Sequence, residues 1–353
     1  MGKNGKIHYA KLIANPGAGK PEELSTNLKI AARCLQQMGI EVDVALAKPK
    51  EEATTIARKA IRDGYKTILA LGGDGTVEAV MRGIVEMKSH ARLGILPYGT
   101  KNNVAKSLGI PEPVEEACAL IARNSTRQID IGQIKIKTPN SKIKKTYFFE
   151  LAVIGLAAAV YPPANKVLKG QLGKIKDAAE TVLQHDSDSK VFMTFDDDSR
   201  VKVQTMLVVV SNTPMFGVNF LVAPYASLED GLLDVSVYPN FSKAELLAYY
   251  AAVMNQGDSG NDKVQHYRVH KFTLKTDPPL AVNADAAELG TGNVKIKCLG
   301  GALRVLAPDT GSAPNAVVRE PVAVEVPAPL APPATKPEKA AVGAAASEQK
   351  AEK

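Results

Sequence analysis

The residues best suited to chemistry form a glycine-rich turn, Gly72-Gly73-Asp74-Gly75-Thr76. The apolar residues 67–71 before it predict a strand, and a helical pattern begins at Val77. Glycines at such a turn let the backbone approach a ligand that a Cβ atom would block. A helix N-terminus favours phosphate, and a carboxylate beside a phosphate favours a divalent metal. A tight turn that only caps a helix is the alternative.

Two more turns of this kind follow other predicted strands. Residues 15–20, NPGAGK, come after the first strand, and residues 96–103, LPYGTKNN, come after the fourth. The first turn is not a Walker A loop, because the spacing differs and Pro21 stands where Ser or Thr would hold magnesium. Asn15 and Lys20 could still contact a phosphate, although a simple helix-entry loop is equally consistent. The carboxyl ends of parallel strands share one sheet edge, so we expect the turns to lie together.

An acidic loop, APYASLEDGLLDV, occupies residues 223–235 and leads into a strand-like segment. Carboxylate and backbone oxygens at this spacing suit Mg²⁺ or Ca²⁺. An Asp-Gly turn without a metal is the alternative.

The elements that must position these turns alternate in the first third of the chain. Strands are predicted at 7–14, 41–47, 67–71 and 93–96. Helices are predicted at 21–38, 50–63, 77–87, from 103, and at 111–123. This alternation predicts an α/β domain over residues 1–127, with a doubly wound, mostly parallel sheet and helices on both faces.

The pattern changes at residue 128. Strand-like segments joined by turn residues predict a mostly antiparallel β domain over residues 128–308. Helices are expected there only at 168–184 and 243–254. Residues 309–353 are rich in Ala, Pro, Lys and Glu without apolar periodicity, so a disordered tail is predicted.

Composition narrows the class of protein. A chain of 353 residues is expected to hold about two domains. We expect no transmembrane helix, because no apolar run reaches about 18 residues. We also expect no signal peptide, because the first residues lack its apolar core. The three cysteines are widely spaced, which argues for a reducing cytoplasm and against a disulfide framework or a zinc site.

The net charge of +7 favours anionic partners. Residues 135–137 and 142–145 predict a hairpin with lysines alternating on one face. A solvated or edge-protecting face is the favoured interpretation, and a membrane-facing basic patch is the alternative. Nucleic acid is not expected, because aromatic residues that could stack on bases are not interleaved with the lysines.

The motifs NPGAGK, GGDGT, PYGTKN and DGLLDV, in this order, resemble the diacylglycerol kinase catalytic family, and in particular its soluble bacterial lipid-kinase branch. The resemblance covers residues 7–308 and implies a two-domain lipid kinase. Such a kinase uses ATP and Mg²⁺ to phosphorylate a diacylglycerol-like lipid hydroxyl at an anionic membrane surface. A cytoplasmic protein that associates transiently with membranes is therefore expected.

The resemblance also implies roles for individual residues. Magnesium would be held by Asp230 and by backbone oxygens of Ser227 and Leu232. Asp74, Asp285 and Glu288 are the catalytic candidates, since a lipid hydroxyl needs a carboxylate to accept its proton. The residues implied in ATP binding are Asn15, Lys20, Gly72, Gly73, Asp74, Gly75, Thr76, Gly99, Thr100 and Asn102.

Residues 282–288, VNADAAE, depart from the family's Asp-Gly-Glu pattern. Without a gap, Ala287 replaces the glutamate implicated as the base, whereas one inserted residue lets Glu288 recover it. Glu78 and Asn103 also differ from the residues that the family commonly has. A catalytically inactive nucleotide- or lipid-binding protein is therefore the alternative. NAD kinase, which shares a GGDGT turn, is a minor one.

Overall fold

The computed structural model of the protein describes residues 8–17, 21–47, 50–138, 143–158, 189–216, 220–221, 223, 225–246, 248–249, 262–285 and 287–309. Some predictions fall on other residues. Lys20, the helix expected at 168–184 and the tail from residue 310 lie outside the described residues. Of the helix expected at 243–254, residues 243–246 and 248–249 are described and helical.

The first part of the chain alternates strands and helices, as predicted. Its strands are β1 (His8–Ala14), β2 (Ile40–Leu46), β3 (Thr67–Gly72) and β4 (Arg92–Pro97). Its helices are α1 (Pro21–Gln37), α2 (Lys50–Arg62), α3 (Asp74–Glu86), α4 (Asn103–Ser107) and α5 (Val114–Arg123). The strands are parallel in the order β4-β3-β1-β2, which confirms the parallel sheet.

Both faces of this sheet are covered, because alternate side chains of a strand point to opposite sides. In β3, Ile68 and Ala70 pack in a core with α2 and α3, whereas Leu69 and Leu71 pack in a core with α1 and α5. All four side chains are fully buried. The continuous apolar run of β3 is therefore the signature of a doubly covered parallel strand.

Helix α3 begins at Asp74, so the predicted start at Val77 was wrong. Gly73 occupies the position before the first helical residue, with extended backbone (φ −87°, ψ −174°). The GGDGT residues are therefore not a loop between strand and helix, because Asp74, Gly75 and Thr76 form the first turn of the helix itself. Their N–H groups belong to the positive end of the helix dipole.

The second part of the chain is built from strands. They are β5 (Thr126–Lys137), β6 (Ile143–Phe148), β7 (Leu151–Gly155), β8 (Ser189–Phe195), β9 (Arg200–Ser211), β10 (Met215–Phe216), β11 (Phe220–Leu221), β12 (Leu233–Pro239), β13 (Gln265–Val269), β14 (Lys271–Asp277), β15 (Ala281–Ala284), β16 (Ala287–Thr291) and β17 (Asn293–Leu306). The described pairs among them are antiparallel, which confirms the predicted β-rich region.

The long strand β17 joins the two parts. Its first half lies between β14 and β5, antiparallel to both. After an irregularity between Leu299 and Leu303, its second half runs parallel to β4, with Arg304 opposite Arg92. The two parts therefore share one continuous sheet. The domain boundary between residues 127 and 128 stays a prediction.

The side chain of Asp130, on β5, stabilises this junction through hydrogen bonds. Its side chain is buried, and its two carboxylate oxygens accept hydrogen bonds from the backbone N–H groups of Gly231 (2.6 Å) and Gly301 (2.7 Å). Burial raises the pKa of Asp130, and these two hydrogen bonds lower it. The backbone N–H of Asp130 also donates to Leu228 (2.7 Å). One carboxylate thus connects the predicted acidic loop and the irregular part of β17 to β5.

Replacing Asp130 by alanine is expected to destabilise the protein by about 2 kcal/mol or more, because two buried N–H groups lose their acceptor. Thermal unfolding checks this, and the melting temperature should fall by about 4 °C or more. Asp196→Ala, at an exposed aspartate, is the control. An equal melting temperature for both variants would contradict the role given to Asp130.

Candidate active site

The turns that follow β3 and β4 meet backbone to backbone. A Cβ atom added to Gly99 would lie 2.4 Å from the Cα atom of Gly73, and one added to Gly73 would lie 3.1 Å from the Cα atom of Gly99. The backbone N–H of Tyr98 also donates to the carbonyl of Gly72 (2.9 Å). Only glycines allow these turns to approach so closely.

The third predicted turn joins them through Asn15. Its amide nitrogen donates to the hydroxyl oxygen of Thr76 (3.1 Å), and its amide oxygen accepts from the N–H of Gly17 (2.9 Å). A Cβ atom on Gly72 would lie 2.4 Å from that same hydroxyl oxygen. The ends of β1, β3 and β4 therefore bring the three predicted phosphate-binding turns to one sheet edge.

Asp74 and Asn102 hold the start of α4 against the start of α3. The Asp74 carboxylate accepts a hydrogen bond from the N–H of Val104 (3.1 Å). Asn102 is buried in a left-handed conformation (φ 53°), and its amide nitrogen donates to the carbonyl of Gly99 (3.1 Å). Its amide oxygen is buried and has no partner among the described residues. Thr100 is exposed at the rim.

Three carboxylates meet beside these turns. Glu78 comes from α3, Glu150 from the turn between β6 and β7, and Asp285 from the end of β15. Each residue is only 4% exposed, and one carboxylate oxygen of each lies within 4.8 Å of the others. We call these three residues the carboxylate cluster.

Asp285 is fixed in the cluster by backbone groups. Its carboxylate accepts hydrogen bonds from the N–H groups of Phe149 (2.7 Å), Glu150 (3.0 Å) and Leu151 (3.1 Å). Burial raises the pKa of Asp285 to about 6, while these hydrogen bonds and the charge of Arg82 lower it. A left-handed backbone (φ 45°) turns the residue toward its donors.

Burial and neighbouring like charges oppose ionisation of Glu150. Burial raises its pKa well above the ordinary value of 4.5, and the charges of Asp285, Asp74 and Glu78 raise it further. A hydrogen bond with the Asn103 side chain lowers it. The Oε1 atom of Glu150 is buried without a partner among the described residues. Such an oxygen is suited to accept a proton or to bind a cation.

The sequence-based search for catalytic residues did not include Glu150. The signal was present, because this glutamate is a charged residue in the otherwise apolar segment 147–159. Glu78 and Asn103 were noted only as departures from a family pattern. A buried charge in a strand-like segment is uncommon and points to a partner or a role.

The catalytic candidate Glu288 lies elsewhere on the β15–β16 hairpin. It is exposed and stands opposite Asn283, with an irregularity in the register between Val282 and Asn283. Ala287 pairs with Ala284. The proposed role of Glu288 as the base stays a prediction.

In the loop predicted to bind a metal, Arg268 is the main partner of Asp230. The Asp230 carboxylate forms an ion pair with this guanidinium and also accepts a hydrogen bond from the N–H of Leu232 (2.9 Å). The hydroxyl oxygen of Ser227 accepts from the N–H of Glu229 (3.2 Å). Both oxygens of Asp230 are therefore engaged, and Arg268 supplies the positive charge that a metal would supply. The metal site predicted at Ser227, Asp230 and Leu232 stays a prediction.

Two family models match consecutive parts of the chain. Residues 9–134 match the diacylglycerol kinase catalytic domain, and residues 154–307 match the YegS C-terminal NAD kinase beta sandwich-like domain. Together the two matches include every residue of the phosphate turns and of the carboxylate cluster except Glu150.

Curated relatives are similar at low identity over most of their length. A diacylglycerol kinase of Bacillus subtilis is 27% identical over 288 residues, which cover 78% of this chain and 88% of that protein. A probable lipid kinase YegS of Salmonella gallinarum is 26% identical over 289 residues, which cover 80% and 91%.

Solved structures share the fold. The crystal structure of a diacylglycerol kinase from Bacillus anthracis superimposes with a TM-score of 0.66 at 22% identity. The match covers 87% of this chain and 99% of the other. At this identity the likeness supports the architecture alone.

Gly99→Ala is expected to weaken ATP binding at least about tenfold, because the added methyl group pushes the two turns apart. Titration with a fluorescent ATP analogue measures this. The control is Gly300→Ala, where the nearest atom to an added Cβ lies 3.7 Å away. Unchanged affinity in the Gly99 variant would refute the inference that close packing of the turns shapes the predicted ATP site.

Glu150→Gln is expected to raise the melting temperature by about 2–4 °C at neutral pH, because it removes a buried carboxyl group whose ionisation is opposed by burial and by neighbouring carboxylates. Since the folded-state pKa of Glu150 lies above the unfolded value, the glutamate costs stability progressively as the pH rises above 4.5. The gain should therefore be lost at low pH. Scanning calorimetry in EDTA at several pH values, with Glu288→Gln as control, checks the direction.

Proposed function

The chain belongs to the diacylglycerol kinase catalytic-domain family, and we propose that it transfers the γ-phosphoryl group of ATP to the hydroxyl of a diacylglycerol-like lipid. The family and the names of the relatives support a lipid kinase-like phosphotransferase. One observation best supports the more specific proposal of ATP-dependent transfer to a lipid: two glycine turns pack against each other beside three buried carboxylates.

The proposed ATP site uses backbone more than side chains. Gly73 precedes α3 and provides no capping side chain, so the first turn of the helix is suited to phosphate oxygens. Asn15, Thr76 and Asn102 stand around the same edge and can orient the triphosphate by hydrogen bonds. The basic side chain predicted for this site, Lys20, would add a positive charge.

Mg²⁺ belongs to the same proposal. Hard carboxylate oxygens are its preferred ligands, and the closeness of the cluster oxygens fits a divalent cation better than the Asp230 loop does. Glu78 would hold the ion, with Asp74 on the adjoining turn. When bound with ATP, Mg²⁺ offsets the negative charge of the phosphates.

A lipid hydroxyl must lose its proton as it attacks phosphorus. Three backbone hydrogen bonds already occupy both carboxylate oxygens of Asp285. Glu288 is exposed to solvent. The buried Oε1 atom of Glu150 has no partner among the described residues, so we assign the proton-accepting role to Glu150.

A catalytically inactive binding protein is the second candidate function. The observation that favours it is Ala287, which occupies the ungapped position of the family's glutamate and pairs with Ala284 on the β15–β16 hairpin. Such a protein would bind ATP or lipid on the same scaffold without turnover.

Transfer of ³²P from γ-labelled ATP to lipid hydroxyls in mixed micelles tests the proposal. We expect Mg²⁺-dependent labelling by the wild type, and a fall in kcat of about 10²–10⁴-fold for Glu150→Gln with little change in KM. Asp74→Asn should weaken ATP binding as well. The lipid panel should include diacylglycerol, phosphatidylglycerol, a sphingoid base and a polyprenol.

Glu288→Gln is the matched control, because it makes the same change at an exposed position of the β15–β16 hairpin. If this variant loses turnover and Glu150→Gln does not, Glu288 is the base. ATP binding without labelling of any lipid would favour the inactive binding protein.

A further inference from the structure

The outer face of five adjoining strands carries a row of cationic side chains. Lysine and arginine side chains alternate with buried apolar residues along β5, β17, β14, β8 and β9, as Lys135 and Lys137 alternate with Ile134 and Ile136. Cross-strand register aligns them, with Lys135 opposite Lys295. The cationic residues of this face are Lys135, Lys137, Lys190, Arg200, Lys202, Lys271, Lys275, Lys295 and Lys297. We call it the basic face.

A cavity of about 400 Å³ opens at the centre of the basic face. Four lysines from three strands line it, together with polar side chains and one carboxylate, Asp198. The four lysines are Lys135, Lys271, Lys295 and Lys297. In the described part of the chain, none of the four forms an ion pair. Their mutual repulsion would be offset by an anion in the cavity.

Edge protection does not account for these lysines. Lysines on an edge strand prevent pairing with another chain. Lys295 and Lys297 lie on β17, which is flanked along this stretch by β14 and β5, and Lys271 lies on β14, which is flanked by β8 and β17. Three of the four cavity lysines therefore stand on interior strands, where no edge is exposed.

Two large apolar side chains flank the same face. Phe192 on β8 is 40% exposed, and the ammonium of Lys202 lies 5.6 Å from its ring centre. Ile143 on β6, opposite Lys137, is 69% exposed. Lysines interspersed with exposed apolar side chains match a lipid interface, where charges meet head groups and apolar groups meet acyl chains.

We propose that the basic face is the docking surface for an anionic phospholipid bilayer, and that its four-lysine cavity receives a phosphate-bearing head group. The proposal rests on the proposed function only in that a lipid kinase must reach its substrate at a bilayer. Nucleic acid fits less well, because Phe192 is the single exposed aromatic ring on the described part of this face, whereas stacking needs several.

Sedimentation of the full chain with vesicles tests the proposal. The wild type should bind vesicles containing phosphatidylglycerol, should not bind pure phosphatidylcholine, and should be released by salt. The quadruple variant Lys135→Gln, Lys271→Gln, Lys295→Gln, Lys297→Gln should bind at least about 100-fold more weakly, at roughly fivefold per lysine.

The matched control changes four exposed lysines of the α/β part, Lys29→Gln, Lys59→Gln, Lys66→Gln and Lys88→Gln, for the same change in net charge. It should retain most of the binding. Equal loss in both quadruple variants would overturn the proposal, because net charge and not the face would then be responsible. Phe192→Ser, which changes no charge, should weaken binding independently by about tenfold.

Two further measurements distinguish binding of other anions from binding of a bilayer. Inorganic phosphate that displaces the protein from vesicles at equal ionic strength would show a site for free phosphate and overturn the proposal. Tighter binding of single-stranded RNA, lost in the same quadruple variant, would do so too.

In the quadruple variant of the cavity lysines, kinase activity on a short-chain lipid in neutral micelles should be unchanged. The activity of the same variant on anionic vesicles should be reduced. Vesicle binding without any kinase activity would contradict the proposed function but would still support the proposed docking surface.

Discussion

Electrostatic repulsion among Glu78, Glu150 and Asp285 is the constraint around which the molecule is arranged. Three carboxylates that are each 4% exposed cannot all ionise in a low-dielectric interior without compensation. The fold compensates Asp285 with three backbone N–H groups and leaves Glu150 with one oxygen unpartnered. Stability alone would favour neutral residues there, so the cluster is retained at a cost that a function explains.

The cluster also explains why the two parts of the chain must form one body. Glu78 belongs to a helix of the α/β part, whereas Glu150 and Asp285 come from the β-rich part. β17 crosses between the two parts as a shared strand, and Asp130 fastens that crossing through Gly231 and Gly301. A rigid junction is what holds charged groups from distant segments at fixed separations.

The departures from the family pattern are coupled to one another. The resemblance implies carboxylates at the positions of Asn103 and Ala287, which this chain lacks, whereas Glu78 stands where the family commonly has asparagine. Asn103 hydrogen-bonds to the side chain of Glu150 and lowers its pKa, whereas an aspartate at position 103 would have added a further negative charge. The acidic groups are therefore redistributed within the site, and the changes at single positions do not by themselves imply loss of chemistry.

The sequence by itself determined the class of the fold and the location of the glycine-rich turns at the sheet edge. Period-2 and period-3.6 patterns and glycine-rich turns are local properties, so the alternating elements up to residue 123 and the antiparallel strands after 126 could be predicted within a few residues. Tertiary structure alone decided that Asp74 begins a helix, that Arg268 neutralises Asp230, and that Glu150 meets Asp285 across 135 positions of sequence. Those outcomes depend on long-range pairing and on burial, which set charge separations and pKa values that no local pattern contains.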